Sequence, residues 1–146
     1  MAIEETSPAQ PQQESGLTGP LATADLAASP PVRTVVADRS LLDRVPFSDK
    51  PTAITAGLRE RAATAWTASS ANVRTGYWEC GTGTFTGVRD GVHEVCYIVS
   101  GRATLRDVAG GVTEISVGSI LVLPDGWTGT WEIHEPVEKV FVMIHG

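Results

Sequence analysis

Cysteine, lysine and histidine are all scarce in this chain, and each scarcity removes a class of function. Two cysteines in 146 residues, Cys80 and Cys96, cannot build a disulfide framework or a cysteine-rich zinc site. They are expected to be reduced and buried, the usual state of thiols in the cytosol. Lys50 and Lys139 are the only lysines, the arginines show no cluster, and the net charge is −6. A nucleic-acid partner is therefore not expected, because phosphate binding needs basic clusters. No apolar run approaches the roughly 18 residues of a membrane helix, so no membrane partner is expected either. Met1 to Thr6 lack the basic and apolar parts of a secretory leader and contain no Arg. The cytoplasm is the expected compartment. Gly81-Thr82-Gly83-Thr84 lacks the lysine and following helix of a phosphate loop and is read as a hairpin turn.

What is abundant is turn chemistry. Fifteen glycines and nine prolines punctuate the chain. Five of the prolines fall in residues 1–31, together with Glu4, Glu5, Glu14 and Asp25 and no basic residue. Such a composition buries little, so 1–31 is read as a disordered acidic tail. A docking segment around Leu17 to Leu26 is the alternative for that stretch. Residues 32–65 form a lead-in. Within it Val32–Val36 suits an edge strand, Asp38 suits the start of one helical turn, and the Ala/Thr-rich run 52–65 suits a short helix.

From Trp66 the pattern is β. Val73–Cys80, Thr84–Val88, Val92–Val99, Arg102–Asp107, Val112–Val117, Ser119–Leu123, Trp127–Ile133 and Val137–Ile144 read as strands separated by turn residues. Ser119–Leu123, apolar almost throughout, suits a strand buried on both sides. Short, closely spaced strands with no long helix between them predict an antiparallel all-β domain over 66–146, closed into a jelly-roll barrel.

Two short patterns carry a family resemblance. Glu94 stands seven residues before Gly101, and Gly118, Pro124 and Gly126 are spaced like a second motif. Both resemble the paired motifs of the cupin superfamily. The first motif normally places two histidines before the glutamate, and the second places one after the Pro-x-Gly. Here Gly87-Val88-Arg89-Asp90 and Gly129 occupy those positions, so one of four ligands remains. The stretches Thr75-Gly76-Tyr77-Trp78-Glu79-Cys80, Ser100-Gly101-Arg102, Pro124 through Glu132, and Glu138-Lys139 are similar to small cupins of two kinds. These are the (S)-ureidoglycine aminohydrolase cupin domain and the ethanolamine-utilisation cupin. The resemblance implies a cupin jelly-roll β-barrel and a homodimer.

Glu94 alone cannot hold a divalent cation, which needs several converging ligands. Strand alternation turns His93 to the face opposite Glu94, and His134 and His145 lie outside the motifs. No metal and no cofactor are therefore expected. Lys139 is the natural partner for a buried Glu94, with Arg74 and Arg102 as alternatives. The pair is read either as a structural ion pair or as an acid/base site. Gly129 is expected to open a space above Trp131. Trp131, Tyr97, Glu79, Trp78 and Trp127 complete the candidate ligand-binding set. The favoured function is binding of a small polar or anionic metabolite, with metal-free acid/base chemistry of isomerase or lyase type as the reaction such a pair would run. The alternatives are a metal-dependent aminohydrolase acting on a ureido compound, and a non-catalytic dimeric structural or regulatory module.

Overall fold

The computed structural model describes residues 31–146. The tail reading of 1–31 and the docking segment at Leu17 to Leu26 fall outside the described residues, apart from Pro31. Met1–Thr34 and Val35–Gly146 form two separate units. Residues 31–34 carry neither helix nor strand.

The second unit is built almost entirely of strands. One helical turn, α1 (Ser40–Asp43), precedes β1 (Ser48–Asp49), β2 (Arg59–Thr67), β3 (Val73–Cys80), β4 (Gly83–Val88) and β5 (Val92–Asp107). Then come β6 (Val112–Ser116), β7 (Ile120–Leu123) and β8 (Thr128–His145). The carboxylate of Asp38 accepts the Ser40 N–H at 2.9 Å, which starts α1. Two readings of the lead-in are corrected. Val32–Val36 forms no strand. The run 52–65 forms no helix, because its second half pairs with β3 from Glu60↔Cys80 to Thr67↔Arg74. Pairing across the sheet outweighs the helix propensity of the alanines there, which Gly57 and the threonines already dilute.

All pairings are antiparallel, and β5 and β8 are the spine. Each is long enough to hold a different neighbour along each half. On β8, residues 137–144 pair with β3 and residues 128–133 pair with β4. On β5, residues 94–97 pair with β7 and residues 102–106 pair with β6. Between these halves the β5–β8 register shifts three times, between Ile98 and Ala103. Gly101 sits at that bend with φ +92, and a Cβ there would stand 2.1 Å from the Pro136 carbonyl oxygen. Only glycine permits such a conformation and approach.

The bend folds the sheet toward itself without closing it. The hydrogen-bonded order runs β1-β2-β3-β8-β5-β6, with β4 and β7 as side branches. The expected jelly-roll barrel is therefore corrected: the fold is all-β, but the sheet is not closed into a barrel. Closure needs the outermost strands to pair, and β1 is two residues long while β6 ends unpaired on its far side. An isolated bridge, Ala53↔Phe85, joins the lead-in to β4, with the Ile54 N–H donating to the Thr84 carbonyl and the Thr86 N–H to the Thr52 carbonyl beside it. The core lies between the two halves and includes Cys96, Ile98, Leu105, Trp131, Ile133 and Phe141.

Candidate functional site

The inner face of β5 follows the alternation of a half-buried strand. Glu94, Cys96 and Ile98 are buried, whereas His93 and Tyr97 are exposed. In register, Ile98 lies opposite Lys139 of β8, and Lys139 lies opposite Trp78 of β3. Glu94 is 1% exposed and Lys139 4%. The Lys139 ammonium donates to Glu94 Oε2 at 2.6 Å, and the Cys96 thiol donates to the same oxygen at 3.2 Å. Arg89 reaches the other oxygen across the Asp90-Gly91 turn. Its Nε donates to Oε1 at 2.8 Å, and its Nη2 contacts the same atom.

Burial alone would raise the pKa of Glu94. The charges of Lys139 and Arg89, with their hydrogen bonds, outweigh it and bring the carboxyl down to about 2. Glu94 is thus a fixed anion with both oxygens engaged. Burial has the opposite effect on the thiols, pushing Cys96 up to about 12 and Cys80 to about 11.

Aromatic rings enclose this group. Trp131 and Phe85 stack with centroids 5.7 Å apart, and Trp78 meets both edge-on at 5.8 and 6.0 Å. The Lys139 ammonium lies 4.6 Å from the Trp78 ring and 4.9 Å from the Trp131 ring. Lys50 stands 4.3 Å over Phe85 and is held by Glu60 at 2.7 Å. The same Glu60 oxygen accepts the Trp78 indole N–H at 2.8 Å. Between these groups lies a cavity of about 420 Å³, whose wall includes Lys50, Arg74, Arg89 and Lys139 against the single carboxylate of Glu94.

Of the residues singled out from sequence, Glu94, Lys139, Trp78 and Trp131 meet in this cavity. Tyr97 does not, because the alternation that buries Glu94 and Cys96 turns it outward. Glu79 faces away as well, where Arg61 binds it at 2.9 Å. Trp127 lies beneath the wall, and its indole N–H donates to Asp107 at 2.7 Å. Gly129 does not open the cavity as expected. A Cβ there would stand 2.3 Å from the Arg106 carbonyl oxygen and 2.6 Å from the Trp127 ring. The glycine makes room for Trp127 and for β5, not for a ligand. Arg102, an alternative partner for Glu94, pairs with exposed Glu135 instead.

Sequence reasoning missed Arg89 and Lys50. Arg89 had a signal: it occupies one of the positions where the motif carries a histidine, five residues before Glu94 across a tight turn. Lys50 had none, since its place depends on the path of the lead-in.

The site does not fit a metal ion. Among the described residues no three His, Cys, Asp or Glu side chains converge. The one carboxylate of the motif already accepts from two cations, Arg89 on one oxygen and Lys139 on the other. The histidines lie elsewhere. His93 Nδ1 accepts the Asp125 N–H at 2.9 Å, His134 lies 2.7 Å from the Thr104 hydroxyl, and His145 is exposed.

A folded-over antiparallel sheet with the motif glutamate on its inner face defines a cupin-superfamily domain. Residues 67–141 match the model of the EutQ-like cupin domain, and the chain belongs to that family. No curated protein matches it. Solved structures share the fold at low identity. The EutQ protein of Clostridium difficile is 17% identical with a TM-score of 0.54, over 61% of this chain and 70% of that one. A protein of unknown function of the DUF861 family from Pseudomonas syringae is 18% identical with a TM-score of 0.60. That match covers 68% of this chain but 43% of the Pseudomonas chain. Ectoine synthase from P. lautus is 15% identical with a TM-score of 0.61, over 77% and 78% of the two chains.

Proposed function

We propose that the cavity binds a small organic anion without the help of a metal. The observation that carries this reading is the cavity's charge: four cationic side chains and one carboxylate line it, in a chain of net charge −6. Glu94 neutralises part of that charge but is fully engaged by Lys139 and Arg89. Arg74 contacts the Phe141 ring at 5.5 Å and has no carboxylate partner among the described residues, so it is the group best placed to receive a ligand anion. The aromatic wall supplies apolar contact for the ligand's carbon skeleton. A volume of about 420 Å³ suits a metabolite-sized molecule.

Binding fits this site better than acid/base chemistry through Glu94. A carboxyl held near pKa 2 is a weak base at neutral pH, and neither oxygen is free to take a proton. Aminohydrolysis of a ureido compound would need metal ligands that Glu94 cannot supply while two cations hold it.

The test is a thermal-shift and calorimetric panel at low salt, using small mono- and dicarboxylates, phosphate monoesters, a neutral ureide and an amine. Carboxylates or phosphate esters should raise Tm by several degrees at millimolar concentration, and 0.5 M salt should weaken the effect. Arg74→Ala should remove most of it. Equal shifts by the neutral ureide in the native chain and in Arg74→Ala would overturn the reading, as would stoichiometric Mn, Fe, Ni or Zn in the purified protein.

A further inference from the structure

The register of the sheet fixes where the charges of the cavity stand relative to one another. Arg74 of β3 and Glu94 of β5 both pair with Met143 of β8, so the three form one row across the sheet. Neighbouring strands lie about 4.8 Å apart, which sets the backbones of Arg74 and Glu94 roughly 10 Å apart on either side of Met143. The next row on the same face is Gly76, Phe141 and Cys96. The Arg74 guanidinium lies 5.5 Å from the Phe141 ring. Arg74, Glu94, Phe141 and Met143 all border the cavity.

The charges along this wall do not cancel. Lys50 is matched by Glu60, at 2.7 Å. Arg89 and Lys139 share the one carboxylate of Glu94, which leaves one positive charge over. Arg74 has no carboxylate partner among the described residues and adds a second. Four cations at the wall thus meet two carboxylates, Glu60 and Glu94, a surplus of two. That surplus is divided between two centres, one on each side of Met143. Both keep donors in reserve. The Arg74 side chain makes no hydrogen bond within the described residues, and Arg89 spends one N–H each of Nη1 and Nη2 on the Val88 carbonyl and Glu94. Between the centres the wall is apolar.

We propose, on the reading of the cavity as an anion site, that its ligand is a short linear dicarboxylate. One carboxylate meets Arg74 and the other meets the Arg89–Lys139 side, with the methylenes between them over Met143 and Phe141. A guanidinium fork matches a carboxylate in shape as well as charge. A monocarboxylate serves one centre and leaves the other cation unmatched in a half-buried wall. A phosphate monoester carries both of its charges at one end, so it too reaches a single centre. The thioether of Met143 and the ring of Phe141 suit methylenes better than a polar middle.

Calorimetric titration of the full chain at low salt, with the linear dicarboxylates from malonate to suberate, tests it. Two fixed anchors select a length, so affinity should pass through a maximum within the series. The monomethyl ester of the best diacid keeps that length and removes one charge. It should bind about 10- to 100-fold more weakly, the loss of one hydrogen-bonded charged group. In Arg74→Gln the diacid and its half-ester should bind alike. That substitution strips no hydrogen-bond partner, and the native-chain series decides even if the variant fails to fold. A half-ester equal to its diacid, or affinity that climbs steadily with length, overturns the dicarboxylate and leaves the anion site standing. So does a phosphate monoester that binds tighter than every diacid, or a preference for the diacid that survives Arg74→Gln. Binding of no anion at all overturns both.

Discussion

Glu94 and Glu138 are both buried carboxylates of one sheet, and they are satisfied in opposite ways. Glu94 faces the cavity, and each of its oxygens accepts from a cation. Glu138 is the chain neighbour of Lys139 and faces the other side, beneath the lead-in. There Arg39, itself about half exposed, binds Oε1 at 2.7 Å, while Oε2 is buried without a partner among the described residues. The same strand thus carries a closed network on its inner face and an open one on its outer face. A buried charge that is fully paired depends on every partner, since removing one leaves the other uncompensated. A charge paired with a half-solvated arginine loses less, because water can replace the partner.

The largest expected effect is at Lys139. Lys139→Met leaves Glu94 buried with Arg89 alone and should cost on the order of 3–5 kcal/mol in urea denaturation. Glu138→Gln should change stability by no more than about 1 kcal/mol. Equal costs at the two sites would erase the contrast. The next effect is acid lability. Glu94 binds protons less readily in the folded chain, at a pKa of about 2, than at its ordinary value of 4.5. The stability this adds, on the order of 3 kcal/mol by proton linkage, is present above about pH 4.5 and lost as pH falls toward 2. A stability-pH profile in that window should flatten in Glu94→Gln. A profile unchanged by the substitution would mean that other carboxyls govern acid unfolding.

A smaller effect belongs to Trp127, behind the cavity wall. Trp127→Phe removes the indole donor to Asp107 and should cost about 1 kcal/mol, read as a shift of the urea midpoint. The smallest is kinetic. With thiol pKa values near 11 and 12, Cys80 and Cys96 should react with a disulfide reagent at pH 8 only as the chain unfolds. Rapid modification of Cys96 in the native protein would show that water and reagent enter the cavity as far as Glu94.

Much of this was legible in the residues. Alternation along Val92–Val99 is enough to set Glu94 inside and His93 outside, and the turn glycines fall where the chain reverses. The same alternation, applied consistently, excludes Tyr97 from the cavity. Other features were hidden because they depend on long-range pairing. Gly129 looked like a vacated ligand position. It is needed because the Trp127 ring and the backbone of β5 both press against it, and those neighbours lie two and more than twenty residues away in sequence. The reading of Ser119–Leu123 as a strand buried on both sides is corrected: Leu121 and Leu123 are buried, but Ile120 and Val122 face outward and are exposed, because a continuous apolar run does not say which of its faces the sheet covers.

By itself the sequence determined local geometry: strands by period-two alternation, turns by glycine and proline, and a motif glutamate that burial and composition set against few available cations. Only the tertiary structure decided which cations those are. Arg89 comes by way of a tight turn, Lys139 from a strand 45 residues downstream of Glu94, and Lys50 from the lead-in, which contributes part of the cavity wall. It also decided that the sheet bends at Gly101 and stays open. Local periodicity specifies which face a side chain takes. Which strands meet, and whether the last meets the first, is set by the lengths and register of strands far apart in the chain.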